Sequence, residues 1–128
     1  MSRSTIATEQ APAAIGPYSQ AVRIENTVYF SGQIPLDPAS GSLVEGDITM
    51  QTRRVFDNLD AVAKAAGGTL SDIVRIGIYM TDLANFNAVN AVMADYFEQP
   101  YPARSTIGVS ALPKAAQVEI DAIMVLAP

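Results

Sequence analysis

The stretch QVEIDAIMVLA, residues 117–127, indicates a β-strand whose two faces both need to be covered by other parts of the protein. Its side chains alternate with the period of a β-strand, so successive residues face opposite sides of a sheet. One face carries four apolar side chains: Ile120, Ala122, Met124 and Leu126. The other face carries Ile123 and Val125, so it needs cover as well. Because a chain of 128 residues has little room for a second core, we expect another subunit to supply that cover.

The remaining sequence has the periodicity of two helices and several short strands. Apolar residues recur at helical spacing from Ile48 to Ala66, after the helix-capping Asp47, and again from Leu83 to Phe97. The predicted strands are a hairpin over residues 22–31, single strands over 73–81, 103–110 and 117–127, and an optional strand over 4–8. In the strand over 73–81, we expect Val74, Ile76, Ile78 and Met80 to lie on one face.

This order of elements predicts the fold class. After the optional strand the order is β-β-α-β-α-β-β, and the length fits one domain over residues 1–128. Two helices with five or six strands predict an α+β fold, in which both helices cover one face of a single mixed sheet. The uncovered face of that sheet predicts an oligomer.

The composition excludes several kinds of chemistry. The chain contains no histidine and no cysteine, which excludes Ser-His-Asp triads, thiol nucleophiles, disulfides and metal sites built on imidazole or thiolate. The net charge is −5 and the eight basic residues are scattered, so we expect no nucleic-acid partner. No signal-peptide core and no membrane-spanning window is found, so we expect a cytoplasmic protein with no membrane partner.

Arg104 is a basic residue whose charge has no evident partner in the sequence. It lies in PARSTIGVSALP, residues 102–113, and no acidic residue is close to it in sequence. One interpretation is a surface arginine in an ion pair at the rim of the sheet. The other is a guanidinium fork for a carboxylate or phosphate, because Pro102 fixes the entry of the chain and the same-face neighbours Thr106 and Gly108 are small enough to leave a pocket.

Glu119 is the second candidate, and its role depends on a strand register that the sequence does not fix. It is either an outward carboxylate on an edge strand or a group on the same sheet face as Arg104. In the second case Arg104 would hold an anion while Glu119 positions or activates a water molecule.

Four further residues are weaker candidates. Asn90 falls among apolar residues of the second helix, where a buried amide would be either a link to a loop backbone or the wall of a pocket. Tyr18 and Ser31 lie in GPYSQ and SGQIP, and the tyrosine either packs against the protein or lines a site. Gly32 follows Ser31 and allows a backbone or a ligand to approach closely.

Several of these segments together resemble the reactive intermediate deaminase (RidA) family. They follow the family's order along nearly the whole chain, from about Ile6 to Leu126. The segments are IGPYSQAV, YFSGQIPLDPASG, NLDAVAKAAG, the second-helix stretch with Asn90, PARSTIGVSALP and VEIDAI. The SGQIP element and the element from Pro-Ala-Arg-Ser to Leu-Pro are the most specific.

The resemblance implies a chorismate-mutase-like fold and a homotrimer with a ligand site in each cleft between subunits. It implies hydrolysis of 2-enamine and 2-imine acids, such as 2-aminoacrylate, 2-iminobutanoate and 2-iminopropanoate, to a 2-keto acid and ammonia, with no cofactor and no metal. By position, Arg104 would bind the substrate carboxylate and Glu119 would hold the attacking water. The residues that would line or brace the cleft are Tyr18, Ser31, Gly32, Asn90 and Thr106. Thr106 stands where many relatives have cysteine, which bears on pocket polarity and on substrate size.

Three alternatives stay open on sequence grounds. The chain could be a non-catalytic module that binds a small metabolite and regulates another process. It could be an RNA-cleaving or translation-inhibiting protein, although the acidic charge and the missing histidine disfavour this. It could also be a deaminase for a larger enamine from aromatic catabolism, in which case the cleft would be larger.

Overall fold

A computed structural model describes residues 2–128 of the chain. The strands and α-helices follow in the order β1 (Arg3–Ile6), β2 (Ala21–Ile24), β3 (Thr27–Gln33), α1 (Ile48–Ala65), β4 (Ile73–Met80), α2 (Phe86–Tyr96), β5 (Ala103–Gly108) and β6 (Val118–Val125). Short 3-10 turns precede β4, α2 and β6, at Leu70–Asp72, Leu83–Asn85 and Pro113–Ala115. The helix predicted to start at Leu83 therefore begins with a 3-10 turn, and its α-helical part starts at Phe86.

The six strands form one mixed sheet in the order β1-β2-β3-β6-β4-β5. All neighbouring strands are antiparallel except β4 and β5, which are parallel because α2 carries the chain back across the sheet between them. The predicted α+β class, with two helices and a single mixed sheet, is confirmed. The last strand, β6, lies in the interior of the sheet, with β3 on one side and β4 on the other.

The hydrophobic core lies between the two helices and one face of the sheet. Asp47 begins α1 as predicted, since its side chain accepts a hydrogen bond from the Met50 backbone N–H at 2.9 Å. From α1 the apolar stripe buries Val55, Phe56, Leu59 and Val62, and from the sheet it meets Val28, Ile76, Ile78, Ile120 and Met124. Neither α-helix formed by residues 2–128 is long and apolar enough to cross a membrane.

The start of β4 differs from its predicted pattern. Ile73 pairs with Met124 and Arg75 pairs with Ile123, so Val74 is an extra residue in a β-bulge. The bulge turns the Val74 side chain to solvent, where it is 47% exposed, and places Ile73 in the core instead. The prediction that Val74 shares a face with Ile76, Ile78 and Met80 was wrong, because a bulge shifts the alternation by one residue.

The opposite face of the sheet carries apolar side chains without a covering layer from residues 2–128. Tyr29, Ile107 and Val125 are each between 44% and 49% exposed there. Strand β5 is exposed along nearly its whole length, although its residues alternate between the two faces. We call this the open face, and it is the face on which Ile123 and Val125 were expected to need cover.

Candidate functional site

Arg104 projects from the helix-covered face of the sheet, at its edge. The register pairs Arg104 on β5 with the buried Ile76 on β4, so both side chains point towards α2. The Arg104 Nη1 donates a hydrogen bond to Asn90 Oδ1 at 2.6 Å and lies 3.5 Å from the Met93 Sδ. The guanidinium carbon is 5.5 Å from the centre of the Phe86 ring. Helix α2 therefore orients the guanidinium by a hydrogen bond and a cation–π contact.

The Arg104 guanidinium has no acidic partner. The ion pairs formed among residues 2–128 are Arg53 with Asp95 and Lys64 with Asp60, so the interpretation of Arg104 as half of a rim ion pair is wrong for this part of the chain. A cavity of about 470 Å³ opens beside it, lined by Asn90, Met93, Ala94, Tyr101, Pro102 and Arg104. A guanidinium has five N–H donors, and only those of Nη1 are used here. The arrangement is suited to binding a small anion.

Asn90 differs from its predicted environment. We expected a buried amide, but Asn90 is exposed on α2, while the neighbouring Val89 is 2% exposed. The helical rotation of one residue turns Asn90 from the core towards β5. It makes no link to a loop backbone, and it lines the Arg104 cavity and holds the guanidinium.

Thr106 follows Arg104 on the same face of β5. Its register partner is the buried Ile78. The Thr106 hydroxyl oxygen is itself buried and forms no hydrogen bond with any of residues 2–128. An unpartnered hydroxyl on the same strand face as a guanidinium without an acidic partner marks the place as polar rather than as ordinary core.

Glu119 lies on the other side of the sheet from Arg104. The register pairs Glu119 with Tyr79 on β4, and the side chains before and after Tyr79 are the buried Ile78 and Met80, so Glu119 points from the open face. The hypothesis that Arg104 and Glu119 share a face is therefore wrong. The alternative, an outward carboxylate on an edge strand, is also wrong, because β6 lies in the interior of the sheet and Glu119 is half-buried.

The Glu119 carboxyl is partly desolvated and has no ion-pair partner among the described residues. Among residues 2–128 it forms no ion pair, and no side-chain hydrogen bond holds it. Burial raises its pKa, and the nearby Asp121 carboxylate raises it further. It borders a cavity of about 610 Å³, whose other walls include Pro12, Ile15, Tyr18, Gly32, Gln33 and Lys114. Such a carboxyl is suited to exchanging protons with a bound molecule.

Gly32 leaves the space that the Glu119 side chain occupies. A bulge in β3 between Phe30 and Gln33 brings Gly32 under Glu119, and a Cβ atom at Gly32 would collide with the Glu119 carboxylate. The close approach predicted for Gly32 exists, but the group that approaches is Glu119 rather than a backbone.

We therefore expect Gly32→Ala to act through Glu119. Because the displaced atoms are the flexible end of a side chain, the free energy of unfolding should change by less than about 1 kcal/mol, while kcat falls about 10- to 100-fold through misplacement of the carboxylate. Urea denaturation and steady-state kinetics measure the two effects. In a Glu119→Gln background the added Gly32→Ala should cost no further activity, and an additive loss would contradict this account.

Ser31 and Gln20 fix the loop that carries Tyr18. The Ser31 hydroxyl donates to the Ser19 carbonyl oxygen at 2.6 Å, and the Ser31 N–H donates to the Gln20 carbonyl oxygen at 3.0 Å. The buried Gln20 side chain donates to the Pro12 carbonyl oxygen at 2.7 Å. Ser31 is thus a brace, whereas Tyr18 is 53% exposed and contributes its ring to the wall of the Glu119 cavity.

The predicted site residues therefore form two groups on opposite faces of one sheet. One group, the arginine half-site, contains Arg104, Asn90 and Thr106, and the other, the glutamate half-site, contains Glu119, Gly32, Ser31 and Tyr18. Residues 2–128 hold no cluster of three acidic side chains of the kind that binds a metal ion.

Sequence reasoning missed three residues of these half-sites. Tyr101 lines the Arg104 cavity and Lys114 lines the Glu119 cavity. Lys114 has a left-handed backbone with φ of 57°, a conformation that no local sequence signal indicated. Asp121 shares the open face with Glu119, and the spacing of two residues in VEID could have predicted this.

Comparison with known proteins identifies the family. The family model described as Endoribonuclease L-PSP, which is the RidA family, matches residues 8–126. The chain belongs to the RidA family. A 2-iminobutanoate/2-iminopropanoate deaminase of Dermatophagoides farinae is 46% identical over 121 residues, covering 94% of each chain.

Solved structures of RidA-family relatives have the same fold. RidA from an Antarctic Psychrobacter superposes with a TM-score of 0.93 at 46% identity, over 96% of this chain and 99% of that one. Escherichia coli TdcF, solved with bound serine, superposes with a TM-score of 0.92 at 38% identity, over 97% and 99% of the two chains. The resemblance inferred from the sequence is thus confirmed for the family and for the fold.

Proposed function

We propose that this RidA-family chain is an imine deaminase that hydrolyses 2-imino and 2-enamino acids, such as 2-iminobutanoate, 2-iminopropanoate and 2-aminoacrylate, to 2-keto acids and ammonia. The observation that carries the proposal is Arg104, a cation without an ion-pair partner that is oriented by Asn90 beside a cavity. A guanidinium fork binds carboxylates and phosphates in bidentate fashion, so the carboxylate of a 2-imino acid fits it. Deaminases of this name among the relatives, at 41% to 46% identity, support the same substrate class.

We place the reaction in clefts between subunits of a homotrimer. Arg104 and Glu119 point from opposite faces of one sheet, so a single chain does not present both to one substrate. A second copy that covers the open face would bring its own Arg104 to the Glu119 of the first. Covering the open face would bury the exposed apolar side chains of Tyr29, Ile107 and Val125.

The chemistry assigned to each half-site follows from its groups. Arg104 binds the substrate carboxylate and thereby fixes the adjacent imine carbon. Glu119 holds the attacking water and takes its proton, and its raised pKa makes it a stronger base than a fully solvated carboxylate. Tyr18 lines the cavity beside Glu119, and Thr106 follows Arg104 on the same face of β5. Ser31, Gly32 and Asn90 hold the groups that contact the substrate. Neither a metal nor a cofactor is assigned a role in this scheme.

The geometry favours a small acid over RNA as the ligand. The cavity at Arg104 contains one cation, whereas proteins that bind RNA use several basic residues along a phosphate chain. A net charge of −5 further disfavours a polyanion.

Mixed oligomers provide the test of the shared site. Arg104→Ala and Glu119→Gln chains with different tags are co-expressed, and keto-acid release is measured with 2-aminoacrylate generated in place by a serine dehydratase. Each variant alone should be inactive, while a random equal mixture should recover about a quarter of the wild-type rate, because a quarter of the clefts then contain both intact residues. Co-expressed chains that both carry Arg104→Ala are the control. A mixture as inactive as its parents would contradict the shared site, and a folded wild type without activity would contradict the deaminase itself.

A further inference from the structure

A second carboxylate stands beside Glu119 on the open face. Asp121 follows Glu119 at the strand period of two, and its register partner on β4 is Gly77, next to Tyr79 on the same face. The Tyr79 hydroxyl donates a hydrogen bond to Asp121 Oδ2 at 3.1 Å. Burial and the Asp121 carboxylate both raise the pKa of Tyr79, so the phenol keeps the proton that it donates.

Gly77 makes room for this pair. A Cβ atom at Gly77 would lie 2.5 Å from the Asp121 Oδ1 and 2.9 Å from the Tyr79 hydroxyl oxygen. The hydroxyl end of the tyrosine can therefore occupy the space of the missing side chain and reach Asp121. The same sheet thus has two glycines that admit a carboxylate, Gly32 for Glu119 and Gly77 for Asp121.

Within one chain, the groups that face Glu119 are few and none of them neutralises it. From β4 they are Tyr79 and, farther along the strand, Arg75, and from β6 the facing group is Asp121. From β3 the phenol of Tyr29 lies on the same face, at the level of Arg75. Lys114, from the turn before β6, and Tyr18, from the loop before β2, line the same cavity. None of these forms an ion pair with Glu119, and the near charge that acts on it is the negative one of Asp121. In the proposed trimer the partner subunit's Arg104 adds a positive charge to the cleft, and the substrate carboxylate pairs with it.

We propose that Asp121, held by the Tyr79 hydroxyl, is a positioning residue that makes Glu119 an acid as well as a base, able to deliver a proton to the imine nitrogen before it accepts one from water. This rests on the proposed function, in which Glu119 serves the attacking water. Asp121 accepts a hydrogen bond from the Tyr79 hydroxyl, whereas Glu119 has no such partner. The two carboxyl groups therefore lie in different environments, and Glu119 is the one left to exchange protons.

One dual group can carry every proton transfer that the reaction needs. The neutral Glu119 carboxyl first gives its proton to the imine nitrogen. Water then attacks the imine carbon, forming the new C–O bond and returning a proton to Glu119. In the resulting carbinolamine, Glu119 gives this proton to the amine, the C–N bond breaks as ammonia leaves, and the remaining hydroxyl proton returns to Glu119 as the keto group forms. Glu119 gives two protons, accepts two and ends as it began.

The test replaces Asp121 with asparagine, which keeps an oxygen acceptor for Tyr79 and removes the charge. Two pH titrations are measured on the assembled protein: the Glu119 side-chain carboxyl by carbon NMR of selectively labelled protein, and kcat/KM for 2-aminoacrylate. In Asp121→Asn both midpoints should move towards acid by about one pH unit, which is about tenfold in rate on the sloping limb of the profile. Asp121→Ser answers the same question if the asparagine variant does not assemble.

A second tyrosine–aspartate pair supplies the control. The Tyr96 hydroxyl donates to Asp57 Oδ1 at 2.8 Å on the helix side of the protein, so Asp57→Asn removes an equivalent hydrogen-bonded charge far from Glu119 and should move neither midpoint. An unchanged Glu119 titration in Asp121→Asn would overturn the proposal, as would a shifted titration with an unshifted rate profile. If Glu119→Gln retained full activity, the proposed function of Glu119 would fail instead, whatever Asp121 did.

Discussion

Replacing Arg104 with alanine is expected to lower kcat/KM for 2-aminoacrylate by about 10²- to 10³-fold, because loss of one partner of a charge-assisted bidentate pair costs about 2–5 kcal/mol. The guanidinium forms no ion pair within residues 2–128, so the loss should appear in catalysis and hardly in stability. Initial rates of keto-acid release, corrected for spontaneous hydrolysis, measure the effect. Thermal unfolding of the same samples checks that the fold is retained.

Two further variants test whether activity depends on the planar shape of the Arg104 guanidinium or on positive charge alone. Arg104→Lys keeps the charge without the planar fork and should recover only part of the activity. Arg53→Ala removes an arginine whose ion pair with Asp95 lies at an exposed site between the helices, and it should leave kcat/KM unchanged. Wild-type kinetics in Arg104→Ala would exclude Arg104 as the carboxylate-binding residue.

Replacing Glu119 with glutamine is expected to lower kcat by about 10²- to 10⁴-fold, the range that a positioned acid–base group contributes. Binding of 2-oxobutanoate, followed by calorimetry, should change by no more than a few-fold, because Arg104 is untouched on the other half-site. Glu45→Gln, at an exposed position before α1, is the matched control. Retained turnover in Glu119→Gln would exclude Glu119 as the acid–base group. No turnover in a wild type that binds the keto acid would favour a binding module over an enzyme.

The same variant should also change the pH dependence of stability. Burial raises the Glu119 pKa in the folded protein, so the folded state keeps a proton that the unfolded chain has already released. The wild type therefore loses stability as pH rises through the raised pKa, whereas Glu119→Gln does not. We expect the variant to have the higher melting temperature at pH 7 and the difference to vanish below about pH 4. A higher wild-type melting temperature at pH 7 would mean that Glu119 is a structural ion-pair partner in the assembly.

Local patterns were sufficient to predict the elements of this fold. The helix from Ile48 begins at the predicted cap, Asp47, because a side-chain acceptor there satisfies a free backbone N–H whatever the rest of the protein does. The alternation in residues 117–127 correctly separates the buried Ile120 and Met124 from the open-face Ile123 and Val125. The wrong assignment of Val74 came from the β-bulge at the start of β4, since a bulge is set by the pairing of two strands distant in sequence.

The sequence by itself determined the fold class, the family and the identity of the charged residues, because these depend on residue type and on local period. Only the tertiary structure decided where those charges point. The parallel register of β5 with β4 turns Arg104 towards α2, and the antiparallel register of β6 turns Glu119 to the open face. Register is set by the pairing of strands rather than by either strand alone, and a shift of one residue would have put both groups on one face.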